Sequence, residues 1–204
     1  MNRTPDLILA SASPRRRELL ESVGLVLAIE PVDIDEAVRD GEPVREYAAR
    51  VAGQKCDAAV ARLGTSALAV LAADTVVVLG DKILGKPDGE EQAAAMLQRL
   101  AGHRHEVLTA YRIRNGERTV KRLVGTFVTF RSLDGKEVAA YLACREWRGK
   151  AGAYAIQGIA GSFVTDVRGS FTNVVGLPLA EVLADLRAIE ALPGYPPPAF
   201  GVLP

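Results

Sequence analysis

The 204-residue sequence predicts an α/β fold, because strand-like and helix-like segments alternate along most of its length. Short apolar runs at Leu7 to Leu9 and Leu25 to Ile29 bracket a helix start and a helix stop. Leu68 to Leu79, written LAVLAADTVVVL, is nearly continuous apolar and β-branched in its second half, as expected of a strand buried on both faces. Gly80-Asp81 and Asn115-Gly116 each sit between strand-like segments and read as hairpin turns.

In chain order, the first strand ends at Ala10. Pro14 suits the first position of a helix N-capped by Ser13 and stopped after about Val23 by Gly24. Residues 31–42, PVDIDEAVRDGE, read as an acidic loop carrying Asp33, Asp35 and Glu36. A long helix from Pro43 to about Leu63 places Val44, Tyr47, Ala48, Val51 and Ala58 on one stripe. The strand ending at Leu79 turns into a short partner at Lys82 to Leu84. Gly89 to Ala101 is an alanine-rich helix closed by Gly102, with His103 and His105 in the turn that follows. That HxH pair lacks a third His or Cys and reads as loop rather than metal site. Val107 to Arg114 and Arg118 to Phe130 alternate as strands. Asp134 to Ala143 is a short helix, with Trp147 near its exit as a packing anchor. Ser162 to Val167 and Ser170 to Val175 flank Arg168-Gly169 as a further hairpin, and Pro178 to Ile189 forms the last helix. Residues 1–192 are expected to be one domain and 193–204 a Pro-rich tail, extended or disordered.

The composition excludes several function classes. Twenty-five basic and 25 acidic residues cancel, so no global field favours a nucleic-acid backbone or an anionic membrane. No apolar run is long enough to span a bilayer, and no secretory leader is evident. Cys56 and Cys144 stand far apart without CxxC spacing, which fits a reducing cytoplasm rather than a disulfide framework or structural zinc site.

Against this neutral background, LILASASPRRRE at 7–18 is a local cation-rich turn. Arg16 stands where a capping box would place Glu or Gln, so the backbone N–H groups of the helix start are left for an anion. Ser11, Ser13, Arg15 and Arg16 together favour a polyphosphate there; a capped surface helix is the plain alternative. Lys55 lies on the apolar stripe of the long helix, either snorkelling to its edge or delivering an ammonium into a cleft. Asp74 interrupts the buried strand, where desolvation disfavours its charge unless a cation or hydrogen bonds compensate. Lys86 sits in the constrained loop Gly85-Lys86-Pro87. Gln157, in the Gly/Ala-rich string KAGAYAIQG, suits a base edge, its ordinary role being a satisfied loop amide. No GxxxxGK[ST] string occurs, which disfavours a Walker-type ATPase.

Six of these strings in order, SASPRR at 11–16, Glu36, EYAARVAGQK ending at Lys55, ADT at 73–75, GKP at 85–87 and KAGAYAIQG at 150–158, resemble the Maf family over about residues 7 to 190. The resemblance implies a nucleoside triphosphate pyrophosphatase that cleaves between the α- and β-phosphates. It also implies an elongated mixed sheet flanked by helices, with two lobes around a central cleft, similar to inosine triphosphate pyrophosphatases. Asp74 becomes the general base; Ser11, Arg15, Arg16, Lys55 and Lys86 become the phosphate grip; Glu36 joins Asp74 around a divalent cation, Mg²⁺ or Mn²⁺. Arg15, Thr75 and Gln157 match the members acting on dTTP and UTP. Ala12 departs from the commoner Gly, and a homodimer is implied by the family alone. Modified nucleotides as substrates, or a nucleotide-sensing role in septum formation, are the alternatives.

Overall fold

The structure, a computed structural model, describes residues 4–64, 68–192 and 195. In chain order its elements are β1 (Leu7–Leu9), α1 (Pro14–Glu21), β2 (Leu27–Ile29), α2 (Val44–Leu63), β3 (Val70–Leu79), β4 (Lys82–Leu84), α3 (Glu90–Leu100), β5 (Arg104–Asn115), β6 (Arg118–Phe130), α4 (Gly135–Cys144), β7 (Val164–Arg168), α5 (Phe171–Val175) and α6 (Leu179–Ala188). Short 3₁₀ turns at Ala151–Ala153 and Ile159–Phe163 complete the set. The strands form one mixed sheet in the order β2-β1-β3-β5-β6-β7, with β4 also on β3.

Strand β3 is the axis of the molecule. Its antiparallel partner β5 occupies one edge from Val70 to Val78. Two short partners divide the other edge: β1 runs parallel beside Val70 and Leu71, and β4 antiparallel beside Val77 to Leu79. Between them, residues 72–76 have no strand neighbour on that edge among the described residues. The break follows from the sequence. After Ala10 the chain reads Ser-Ala-Ser-Pro and leaves the sheet to start α1, while the Gly80-Asp81 turn allows only a three-residue return strand.

Alternation along β3 then sorts its side chains. Val70, Ala72, Val76 and Val78 face the apolar stripe of α2, where Tyr47, Ala48, Val51, Cys56 and Ala59 are buried. On the opposite face the core is split in two. Leu71 and Ala73 join Leu7, Leu9, Leu20, Tyr111, Leu177 and Leu186. Val77 joins Leu97, Leu100, Phe130, Tyr141 and Trp147. Thr75 stands between these clusters and Asp74 on the α2 face, both beside the open edge. Trp147 is the expected anchor, its indole donating to the Leu142 carbonyl at 3.0 Å.

Two expectations are corrected. Residues 162–175 do not form a hairpin: β7 pairs with β6 from Phe127 to Phe130, and 171–175 is the helix α5. Ser170 caps that helix by accepting from the Asn173 amide, and the buried Asn173 side chain donates to the Val107 carbonyl and Thr126 Oγ1. A strand at 171–175 would forfeit these bonds. His105 lies not in a turn but inside β5, buried edge-on against Phe130 and Tyr154. Its Nε2 meets the Tyr154 hydroxyl at 2.9 Å, and burial lowers its pKa to about 4, so the ring is neutral. The proposed tail lies outside the described residues except for Tyr195, which packs against the cluster around Leu7. No helix among the described residues is long and apolar enough to cross a membrane.

A second buried polar network pins α6 to the sheet. Asp185 accepts from the Tyr111 hydroxyl and from Arg122 at 2.8 and 2.6 Å. Burial alone would raise the Asp185 pKa, but the bonds from Arg122 and Tyr111 outweigh it and hold the carboxyl below its ordinary value. Stability from a depressed carboxylate is fully present above its unfolded pKa and is lost as pH falls through the folded one. Asp185→Ala should therefore cost about 2–3 kcal/mol in urea unfolding at neutral pH, because the Tyr111 hydroxyl is left buried without an acceptor. The loss should shrink as the pH is taken below about 4.

Candidate active site

The open edge of β3 forms the floor of a cleft of ≈ 420 Å³. Ser11, Ser13, Arg15, Arg16, Glu36, Lys55, Asp74, Thr75 and Lys86 all border it, so the structure brings together nine of the ten residues singled out in the sequence. Gln157 is the exception. It sits exposed on the turn closed by the Gly158 amide and the Ala155 carbonyl, outside the cleft lining. That turn is held outward by Glu146, which accepts from the Ile159 amide at 2.9 Å.

Arg16 occupies the break in the sheet. The Ala69 and Leu71 carbonyls are taken by backbone amides of the β1 segment, and the next carbonyl along the edge, Ala73, accepts from Arg16 Nη1 at 2.8 Å. The guanidinium also donates to the Gly176 carbonyl at 2.9 Å, to Thr75 Oγ1 at 3.0 Å and to Ser11 Oγ at 3.1 Å. Four of its five N–H groups are thereby spent on the protein. Only 8% exposed, Arg16 is pulled below its ordinary pKa by burial, against the opposing pull of Asp74. It is a brace that lines the cleft, with little left to give a ligand.

Ser11 has the converse role. Its oxygen accepts from both Arg16 and the Ser13 amide, which leaves its own proton available for donation to a group in the cleft. Ser13 makes no side-chain cap, and Ser13, Pro14, Arg15 and Arg16 at the start of α1 line the same space. Arg15, half-buried, stands beside this helix start.

On the α2 side of β3, Lys55 is buried rather than snorkelling, with 8% exposure. Its ammonium bridges Asp74 Oδ1 at 2.9 Å and Glu36 Oε1 at 2.8 Å. A buried carboxylate without a partner is costly, and Asp74, itself 7% exposed, has the Lys55 ammonium as its partner. Burial alone would raise the Glu36 pKa, but its bond to Lys55 and the charges of Lys55, Lys86 and Arg16 hold it lowered. Glu36 reaches the site because residues 31–42 are not a freely solvated loop. Val32, Ile34 and Glu36 alternate inward, Tyr47 donates to the Glu36 carbonyl at 3.0 Å, and Arg50 clamps Glu42 and the Ala37 carbonyl. Tyr47 and Arg50 were invisible as site residues, since helical spacing marks Tyr47 as core and Arg50 as surface.

Lys150 also lines the cleft, and sequence reasoning gave it no role although it opens the KAGAYAIQG string. Tyr154 and Val77 supply an apolar wall. Counted by charge, the cleft presents Arg15, Arg16, Lys55, Lys86 and Lys150 against Glu36 and Asp74.

The Maf-like protein family model matches residues 6–189. The chain belongs to the Maf family. A relative from Anaeromyxobacter dehalogenans named dTTP/UTP pyrophosphatase is 50% identical over 198 residues, covering 95% of this chain and 97% of that protein. One of the same name from Cereibacter sphaeroides is 52% identical over 190 residues, covering 93% of this chain and 97% of the relative. A third so named, from Pseudoalteromonas atlantica, is 47% identical over 178 residues, 86% and 92% of the two chains. In this Maf protein the brace is open to a direct check. A lysine cannot reproduce the fork that meets four acceptors, so Arg16→Lys should lose about 2–4 kcal/mol of stability in urea unfolding. Its exposed neighbour Arg17, paired only with Glu21 on the helix surface, should tolerate lysine within about 0.5 kcal/mol.

Proposed function

We propose that this Maf protein hydrolyses dTTP and UTP between the α- and β-phosphates, giving the nucleoside monophosphate and pyrophosphate. The observation that carries this reading is a buried carboxylate, Asp74, held by Lys55 at the floor of a cation-lined cleft, in a chain about half identical to relatives so named.

The chemistry follows from the charges. A triphosphate brings several negative charges and its pyrophosphate leaves with more, so cations fixed in advance lower the barrier. Ser11 O–H, the first-turn amides of α1, Arg15 and Lys86 are the donors with capacity to spare. Asp74 accepts the proton of the attacking water, and Lys55, bonded to its Oδ1 at 2.9 Å, keeps the carboxylate aimed. Arg16 and Thr75 hold the Gly176 carbonyl, and with it the chain between α5 and α6, against the cleft.

Two carboxylates with oxygen donors only, Glu36 and Asp74, suit Mg²⁺ or Mn²⁺, hard cations that retain water and take further ligands from substrate phosphates. No group of three or more His, Cys, Asp and Glu that could hold a metal ion occurs among the described residues, so a cation at Glu36 and Asp74 would need its remaining ligands from substrate and water. The ion, held by Glu36 and Asp74, would supply charge neutralisation at the reacting phosphates. Both cysteines are free, Cys56 buried and Cys144 exposed, as suits a cytoplasmic protein.

Purified protein incubated with a panel of canonical and modified triphosphates, with Mg²⁺ or Mn²⁺, should release pyrophosphate from dTTP and UTP fastest. Asp74→Asn should keep nucleotide affinity within a few-fold and lower kcat by about 10²–10⁴. Pyrophosphate release confined to other nucleotides, or an undiminished kcat in the variant, would count against the reading.

A further inference from the structure

Of the five cations in the cleft, two are already committed: Arg16 to four oxygen acceptors and Lys55 to two carboxylates. Arg15 and Lys86 make no hydrogen bond or ion pair among the described residues. Lys150 spends one of three ammonium protons, on the Arg148 carbonyl at 3.2 Å. These three side chains are therefore the cations of the cleft that no ion pair holds among the described residues.

Lys150 is also held in place. Its amide donates to the Trp147 carbonyl, and its carbonyl accepts from Ala153, closing the 3₁₀ turn that follows. The next bond, from the Gly152 amide to the Gly85 carbonyl at 3.1 Å, ties this turn to the residue preceding Lys86. Gly152 has φ +68°, and a Cβ there would stand 3.0 Å from the Val77 side chain, so only glycine lets the turn lie this close to β3. Arg15, from the start of α1, comes near enough to Lys150 that its charge, after burial, helps lower the Lys150 pKa. Two cations from distant parts of the chain thus line one cleft; the acids whose charge reaches them are Glu18 for Arg15 and Glu146 for Lys150, and Glu146 already accepts from the Ile159 amide. Holding like charges together is unfavourable unless an anion joins them.

We propose that Lys150, with Arg15, grips the terminal phosphates of the substrate and retains them as pyrophosphate after cleavage, away from the Asp74–Glu36 carboxylates. This assignment rests on the triphosphate reading above and adds a ligand to it. Lys55 and Arg16 become positioning residues, acting through Asp74 and Thr75.

The test is calorimetric titration of inorganic pyrophosphate, without added metal, into wild-type protein, Lys150→Gln and Lys150→Arg, with the exposed Lys136→Gln as a control for net charge. Losing one charge-assisted contact should weaken pyrophosphate binding by Lys150→Gln about 10–100-fold. Lys150→Arg should restore most of it, Lys136→Gln should match wild type, and affinity for thymidine monophosphate should stay within about threefold, a split that a general loss of fold would not give. Equal pyrophosphate affinity in wild type and Lys150→Gln, or no binding by wild type, overturns the assignment. If wild type binds pyrophosphate through Lys150 yet releases none from any triphosphate, the site stands and the catalytic reading falls; if wild type turns over dTTP while Lys150→Gln binds pyrophosphate equally well, the reverse holds.

Discussion

The molecule is arranged around an interruption in a sheet. A strand edge left unpaired exposes carbonyls that must find donors, and in a soluble fold such an edge is usually short, charged or covered. Here the edge of β3 between Leu71 and Val77 is covered by one planar cation, Arg16, which stands in for the missing strand on the Ala73 carbonyl. Because the break exposes both faces of the strand, consecutive side chains pointing opposite ways can border one cavity. Asp74 reaches Lys55 on the α2 side, and Thr75 meets Arg16 on the other. A fully paired strand would have hidden one of them behind the sheet.

The same interruption divides the apolar core. The cluster around Leu7, Leu71 and Leu186 and the cluster around Leu97, Phe130 and Trp147 meet the same face of β3 at different ends. Each is large enough to stabilise its own end, and the polar residues between them are relieved of that duty. Lys55, Asp74 and Glu36 form a charge group whose desolvation a larger core would have made prohibitive. Its cost is borne by neighbours whose burial is already complete.

Much of this was legible in the sequence, for a definable reason. Strong periodicity and punctuation gave α1, α2, β3, the Gly80-Asp81 turn and the β5–β6 hairpin nearly in their observed places. Asp74 announced itself by breaking an apolar run, and Ser11, Arg15 and Arg16 by their position at a helix start. Four features were hidden. The run at 171–175 has strand-like residues, and only the buried amide of Asn173 makes it a helix. The burial of His105 depends on Tyr154, forty-nine residues later. Arg16 read as a ligand-facing cation, because its acceptors come from the backbones of Ala73 and Gly176, whose proximity no local pattern encodes. Likewise Gln157 read as a cleft residue from its string, whereas the turn it occupies is set by Glu146.

The segment that brings Glu36 to Lys55 is fastened to α2 at three points, through Tyr47, Arg50 and Arg62. Lys55 rides on that same helix. The spacing between Glu36 and Lys55 is therefore set by one helix and the segment fastened to it, and β3 contributes only Asp74. Carboxylate and ammonium thus reach the cleft already paired, and an arriving anion meets charges whose places were settled by the fold.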